Sequence, residues 1–394
     1  MKNIHNASMA TRCVHAGAKE DVYGSVVTPI YQVSTFRFRD ADHGASLFKG
    51  EEDGYIYTRM RNPTVEAMED SVAILEGGAK SLGCASGMAA SHALFTHLLK
   101  AGDHVICSEA VYGPTTTLLA NVHSKFGVKA SFVDTSNLEA VRAAVCPETK
   151  LIFVETPGNP TLVISDLQAI ADIAHANGAK LAVDNTFMSP ILQNPIALGA
   201  DYVIHSMTKF LNGHADVVAG IVVVKDAGEY PAFRKTLNQI GGVIDPFNSF
   251  LVHRGIKTLK LRVEAQSIAA LKVAKWLEKN ERVKWVMYPG LESHPQYEIG
   301  KKQMRGDGAM ISFELKDGFE AGKAVMDNIT IWQLAVSLGG VESLIQHPAS
   351  MTHASMGKEV REQAHITDGL VRLSVGIEDT DELIHALEEA LNKI

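Results

Sequence analysis

Short apolar runs alternate with helical stretches through the middle of the chain. Residues 104–107, 151–154 and 180–183 form apolar runs of strand length, as is typical of buried strands. Residues 64–75 and 166–177 instead place apolar side chains at the spacing of one helix face. This alternation predicts an α/β fold in which a mostly parallel sheet lies between helices.

The two ends of the chain differ from this middle part. The first 60 residues contain scattered glycines and only short apolar runs, which predicts an irregular arm that packs on a neighbouring subunit. Near residue 256 the pattern of apolar positions changes to one typical of an α+β domain. It predicts one long helix at 257–281, followed by strands with alternating apolar and polar positions. We therefore expect an N-terminal arm, a large domain and a smaller C-terminal domain, at residues 1–60, 61–255 and 256–394.

Composition narrows the class of protein. The 394-residue chain has a formal net charge of −8, and its Lys and Arg residues are scattered, so no nucleic-acid partner is expected. No apolar stretch approaches the roughly 18 residues of a membrane helix, and the first residues lack the apolar segment of a secretory signal. The four cysteines lack C-x-x-C spacing. We expect a cytoplasmic protein without a membrane partner or a metal site.

Candidate chemistry gathers at the predicted strand ends. The sequence contains no G-x-G-x-x-G after a strand, no P-loop, no H-E-x-x-H and no G-x-S-x-G, so the commonest nucleotide, zinc-protease and hydrolase sites lack support. Ligands of a parallel α/β sheet bind beyond the carboxyl ends of its strands. The residues with candidate chemistry at those ends are Ser86, Gly87, Met88, Tyr112, Glu155, Asn159, Asp184, Ser206, Thr208 and Lys209.

Each of these residues has an ordinary structural role beside a chemical one. Lys209 is a surface lysine or an amine that condenses with a carbonyl. Asp184 is a helix cap or a counter-charge for a protonated ring nitrogen. Ser86 and Gly87 cap a helix or bind an anion at its start, and Tyr112 packs in the core or stacks on a flat ring. Taken together, the chemical roles fit pyridoxal phosphate.

The same residues lie in motifs that resemble a known family. The strings Tyr57-Thr58-Arg59, Ser86-Gly87-Met88, Asp184-Asn185-Thr186-Phe187 and Ser206-Met207-Thr208-Lys209 are similar to those of the Cys/Met-metabolism branch of fold-type I pyridoxal-phosphate enzymes. The resemblance covers essentially the whole chain. It implies the fold-type I transferase fold, pyridoxal 5'-phosphate as cofactor, and an amino acid as substrate.

The resemblance also implies roles for individual residues. Lys209 would carry the cofactor and exchange protons, Asp184 would pair with the ring nitrogen, and Tyr112 would stack on the ring and act as an acid. Tyr57 and Arg59 would reach the phosphate in a neighbouring subunit's site. The remaining cofactor-binding positions implied in this way are Ser86, Gly87, Met88, Asn159, Ser206 and Thr208.

For the substrate, the resemblance implies that Arg372 and Ser337 hold the α-carboxylate, with Tyr57 and Pro114 near the side chain. The expected reaction is γ-elimination from L-methionine or a related sulfur amino acid, which yields a 2-oxo acid, ammonia and a thiol. Cystathionine γ-lyase or γ-synthase activity and O-acetylhomoserine sulfhydrylation, a γ-replacement, are the alternatives. Pro114 stands where methionine γ-lyases typically carry Cys. A homotetramer built from two catalytic dimers is the expected assembly.

Overall fold

The protein is described here by a computed structural model that covers residues 4–352, 354, 358–363 and 366–394. The helices of this described part are Met9–His15 (α1), Ala41–Lys49 (α2), Pro63–Glu76 (α3), Gly87–Leu98 (α4), Gly113–Asn121 (α5), Leu138–Ala144 (α6), Leu167–Ala176 (α7), Ser189–Leu192 (α8), Tyr230–Ile240 (α9), Pro246–Ile256 (α10), Leu259–Leu277 (α11), Tyr297–Gln303 (α12), Gly318–Asn328 (α13), Lys358–Gln363 (α14) and Thr380–Leu391 (α15).

The strands of the same described residues form two sheets. They are Lys80–Cys84 (β1), His104–Ser108 (β2), Lys129–Val133 (β3), Thr149–Glu155 (β4), Lys180–Asp184 (β5), Tyr202–Ser206 (β6), Gly220–Val224 (β7), Val283–Met287 (β8), Met310–Leu315 (β9), Gln333–Leu334 (β10), Leu344–Gln346 (β11) and Leu370–Ser374 (β12).

The larger sheet has the order β1-β7-β6-β5-β4-β2-β3. Strands β2 to β6 pair in parallel, whereas β7 is antiparallel to both β6 and β1. Successive side chains of β4 enter different cores: Phe153 packs in the core that contains α4, and Ile152 in the core that contains α7. Because both faces are covered, the central strands β4, β5 and β6 are apolar along most of their length. The predicted mostly parallel sheet between helices is confirmed.

The second sheet has the order β10-β11-β12-β9-β8. All of its pairs are antiparallel except β10 with β11. Helices α11 and α13 pack against it, and α15 packs against both of these helices. One continuous core runs from this sheet to the face of the larger sheet that α3 covers. Residues of β12 can therefore reach the carboxyl edge of the larger sheet.

The N-terminal 60 residues contain more regular structure than the sequence analysis predicts. Helices α1 and α2 both lie within the predicted irregular arm, whose first three residues are outside the described part. The α2 helix begins after Asp40, whose side chain accepts a hydrogen bond from the His43 N–H, and ends at Gly50 in the left-handed conformation. These are ordinary capping signals, but the helix spans only nine residues, too few for periodicity to be evident.

The long helix predicted at residues 257–281 is shorter than expected. The helix (α11) spans only Leu259–Leu277, and a short turn separates it from the preceding helix α10, Pro246–Ile256. Among the described residues, none of the helices has both the length and the apolar character that a bilayer span requires.

Candidate functional site

Asp184 ends β5 with one carboxylate oxygen already bound. Its Oδ1 accepts hydrogen bonds from the Thr186 hydroxyl (2.5 Å) and the Thr186 N–H (3.0 Å). Burial raises the pKa of Asp184, while the Thr186 hydrogen bonds and the nearby His205 act in the opposite direction. The Thr186 hydroxyl also accepts from the Ser206 N–H at 2.9 Å. Thr186 therefore links the carboxylate to the end of β6.

A tight cradle lies between the start of α4 and the end of β6. Ser86 caps α4 by accepting a hydrogen bond from the Ala89 N–H at 3.0 Å. A Cβ added at Gly87 would lie 3.0 Å from the Ser206 Cβ, so only glycine leaves the space between them open. Free N–H groups at a helix start favour an anion. Ser86, Gly87 and Ser206 thus lie close together, at a position suited to a phosphate.

Met88 and Thr208 border this cradle. Met88 is the second residue of α4 and is partly buried. The Thr208 hydroxyl exchanges hydrogen bonds with the backbone of Ala219, at 3.3 Å to its carbonyl and 3.0 Å from its N–H. Both of these contacts tie Thr208 to the segment that leads into β7.

Lys209 and Ser337 meet directly. The Lys209 amine donates a hydrogen bond to the Ser337 hydroxyl at 2.6 Å. Burial lowers the pKa of Lys209 to about 8, and the positive charge of Arg372 adds to this effect. Ser337 has a φ of 99°, which costs a non-glycine residue roughly 1–3 kcal/mol. A strained backbone therefore presents this hydroxyl to the amine.

Arg372 lies on β12 with its guanidinium held on several sides. It donates to the Asn159 Oδ1 and to the Ser337 carbonyl, both at 2.9 Å. The Gln346 side-chain oxygen, in the amide orientation that satisfies both groups, accepts from the Arg372 Nη2 (3.2 Å) and Nε (3.1 Å). Burial lowers the pKa of Arg372 to about 10, so it stays cationic at neutral pH. An oriented, buried cation of this kind can bind a carboxylate.

Tyr112 precedes α5 with half of its surface exposed (50%). Its backbone N–H donates to the Glu155 Oε2 at 2.7 Å. Pro114 lies in the first turn of α5 and is exposed. The ring of Tyr112 is thus available to a ligand rather than packed in the core.

Tyr57 and Arg59 do not join this cluster within one chain. Arg59 donates to the Asn238 carbonyl, and its guanidinium lies 5.7 Å from the Tyr57 ring centroid. Tyr57 itself is 42% exposed. In the described part of the chain, neither residue hydrogen-bonds Lys209 or Asp184.

Residues without a role in the sequence analysis complete the site. Thr186 holds Asp184, Gln346 holds Arg372, and Glu155 holds Tyr112. Thr186 lies inside a quoted motif and Glu155 is one of the strand-end residues, so their positions at strand ends were a usable signal. No sequence signal pointed to Gln346, because its hydrogen bonds with Arg372 depend on the pairing of β11 with β12.

This donor set fits pyridoxal phosphate. The fit rests on the buried Lys209 amine of lowered pKa, the glycine-dependent cradle at Gly87, and the carboxylate of Asp184, whose two hydrogen bonds both reach Oδ1. An amine, an anion cradle and a carboxylate match the aldehyde, phosphate and ring nitrogen of this cofactor. The fold and the site therefore define a pyridoxal-phosphate enzyme of the α/β class.

Comparison with known proteins gives the family. The family described as "Cys/Met metabolism PLP-dependent enzyme" matches residues 10–392, and the chain belongs to it. The predicted family, its pyridoxal phosphate cofactor and the prediction that the protein is an enzyme are confirmed.

Relatives match over nearly the full length of the chain. An L-methionine gamma-lyase from Fusobacterium nucleatum subsp. polymorphum is 48% identical over 388 residues, 98% of each chain. A cystathionine beta-lyase from Lactococcus lactis subsp. cremoris is also 48% identical, covering 98% of this chain and 99% of the relative. The crystal structure of metB from Corynebacterium glutamicum superposes with a TM-score of 0.93 at 43% identity, covering 99% of each chain. The fold-type I prediction is confirmed.

Proposed function

We propose that this protein is a carbon–sulfur lyase that catalyses γ-elimination from L-methionine or a related sulfur amino acid. The observation that carries the proposal is the convergence of Lys209 and Arg372 on Ser337, at 2.6 and 2.9 Å. This arrangement places a base beside a carboxylate anchor, which suits an amino-acid substrate. The relatives named L-methionine gamma-lyase, 42–48% identical, support the choice of substrate.

The proposed roles of the side chains follow from their positions. Arg372, held by Asn159 and Gln346, orients the substrate through its carboxylate. When bound, pyridoxal phosphate supplies an electron sink for a carbanion at the substrate's α-carbon. Lys209, with a pKa of about 8, is basic enough to accept the α-proton and acidic enough to return it near neutral pH. Tyr112 protonates the departing sulfur.

The cofactor contacts are proposed in the same way. Asp184 keeps one oxygen for the ring nitrogen, because Thr186 binds the other. The cradle formed by Ser86, Gly87 and Ser206, with Met88 and Thr208 at its border, would hold the phosphate, and Asn159 would contact the ring hydroxyl.

Cleavage of cystathionine is the second candidate. It is favoured by the Lactococcus lactis cystathionine beta-lyase, whose 48% identity equals that of the L-methionine gamma-lyase from Fusobacterium nucleatum subsp. polymorphum. Pro114 also departs from the cysteine that the family resemblance implies for methionine γ-lyases. Proline removes a thiol and fixes the backbone at the start of α5.

We further propose that the enzyme acts in the cytoplasm as a homotetramer of two catalytic dimers. Residues 1–60 would form the arm, 61–255 the cofactor domain and 256–394 the small domain. The exposed Tyr57 and Arg59 support an arm that completes a neighbour's site, because within one chain they contact each other and Asn238.

The test is the identity of the 2-oxo acid released from L-methionine and, separately, from L-cystathionine. We expect 2-oxobutyrate and methanethiol from methionine, and loss of both with Lys209→Ala. Pyruvate from cystathionine with no product from methionine would replace the proposal with β-elimination, since breaking the Cβ–S bond leaves three carbons. 2-Oxobutyrate from cystathionine alone would instead support a cystathionine γ-lyase. No product from either substrate would contradict a lyase and point to γ-replacement with activated homoserine esters.

A further inference from the structure

Glu155 is a second buried carboxyl group beside Asp184. Each is the last residue of its strand, and the parallel register of β4 with β5 pairs them directly. Paired residues of neighbouring strands point to the same face, with strands roughly 4.8 Å apart. Glu155 is only 4% exposed. The roles proposed under the function above use Asp184 and assign none to Glu155, although the protein bears the cost of burying it.

Glu155 reaches a different part of the site through its side chain. Its Oε2 accepts a hydrogen bond from the Tyr112 backbone N–H at 2.7 Å, across 43 positions of sequence. Tyr112 has no side-chain capping bond at the start of α5. Glu155 therefore fixes the backbone from which the Tyr112 ring projects.

The charges around Glu155 come from three elements. Burial raises its pKa well above the ordinary value and the Asp184 carboxylate on β5 raises it further, while the Tyr112 N–H and Arg372 on β12 lower it. Asp184 has two Thr186 donors on one oxygen and His205 nearby. Two adjacent buried carboxyls do not both ionise readily. Asp184 is the better-stabilised anion of the two because it accepts the Thr186 hydrogen bonds, so Glu155 is the group that stays protonated.

We propose that Glu155 is a positioning residue that holds Tyr112 through its backbone N–H as a neutral acid, which leaves Asp184 as the only anion of the pair. This inference rests on the proposed function, because it assumes that Tyr112 and Asp184 face the cofactor. It assigns Glu155 no contact with the reacting atoms. Its role is to fix the position and orientation of the Tyr112 ring. By staying neutral it also leaves a single negative charge, that of Asp184, beside the ring nitrogen site.

The test compares Glu155→Gln with Glu155→Leu. Glutamine keeps the size, the neutral charge and an oxygen that accepts the Tyr112 N–H, whereas leucine keeps the size and the neutral charge but offers no acceptor. Pyridoxal phosphate is titrated into each apoprotein, and its affinity and visible circular dichroism are measured together with the melting temperature of the apoprotein. We expect the leucine variant to bind the cofactor about tenfold more weakly, with altered dichroism. The glutamine variant should retain both properties of the wild type.

A double-mutant cycle with Tyr112→Ala isolates the coupling. In that background, Glu155→Leu should cause little further loss of cofactor affinity, because the ring that it positions is gone. Three results would overturn the inference: glutamine behaving like leucine, which would require an ionised Glu155; leucine lowering only the apoprotein melting temperature; or full additivity with Tyr112→Ala. None of these measurements depends on methionine or cystathionine turnover, so they stand even if the proposed substrate is wrong.

Discussion

At the scale of one residue, burial changes the reactivity of Lys209 by lowering the pKa of its amine. Its amine loses water on burial and faces the Arg372 charge, and its pKa falls from the ordinary 10.5 to about 8. Only the neutral amine attacks an aldehyde. The rate at which the apoprotein takes up pyridoxal phosphate should therefore rise from pH 6 through pH 8 and then level off. Stopped-flow absorbance on the apoprotein measures it, and Lys209→Arg, which keeps a charge but forms no such bond, is the control. A rate that climbs steadily to pH 10 would contradict the lowered pKa.

Gln346 is predicted to act on substrate binding through Arg372. Replacing it with leucine removes the acceptor of two guanidinium N–H groups, so the buried cation loses its orientation. We expect Gln346→Leu to raise the KM for the amino-acid substrate about tenfold with a smaller effect on kcat, since uniform binding is lost. Steady-state kinetics measure this split, and the affinity for pyridoxal phosphate serves as the internal control. An unchanged KM would show that Arg372 is held sufficiently by Asn159 and Ser337.

At the scale of elements, α3 anchors two strand ends of the site through its last residue. Glu76 is 1% exposed, and its carboxylate binds His205 at 2.6 Å, Asn185 at 2.8 Å and Asn194 at 3.1 Å. Asn185 directly follows Asp184, and His205 directly precedes Ser206. The helix thus fixes the position of Asp184 relative to that of Ser206 in the phosphate cradle.

Glu76→Leu should accordingly destabilise the protein by about 3 kcal/mol or more, because it leaves several buried donors without an acceptor. Urea unfolding at a fixed protein concentration measures the loss. The matched control is Glu264→Gln on α11, which breaks an exposed pair with Lys260 and should change stability by less than about 0.5 kcal/mol. Equal effects from the two variants would mean that the Glu76 network contributes little.

How much could be predicted from the sequence depends on the distance over which each contact acts. The strand ends with Asp184 and Lys209 follow from local apolar patterns, because a parallel sheet brings such ends to one edge. The contacts of Gln346 with Arg372 and of Glu76 with His205 span 26 and 129 positions. No local pattern encodes them, since each depends on packing between separate elements.

At the scale of the whole molecule, an arm that completes a neighbour's site makes a distinctive prediction. Arg59→Ala and Lys209→Ala should each be nearly inactive alone. In a hybrid dimer, one site combines the intact Lys209 of one subunit with the intact Arg59 of the other, and the second site carries both defects. Random reassociation makes half of the dimers hybrids, so the mixture should recover about a quarter of the wild-type activity.

The reassociated mixture is assayed beside each variant treated in the same way. If Arg59 instead serves the site of its own chain, every hybrid site carries a defect and no activity returns. That result would also remove the reason for Tyr57 and Arg59 to stay exposed and turned towards Asn238. Recovery would show that the single chain holds an incomplete site, which explains why its cofactor cluster lacks two of the residues that the family resemblance assigns to it.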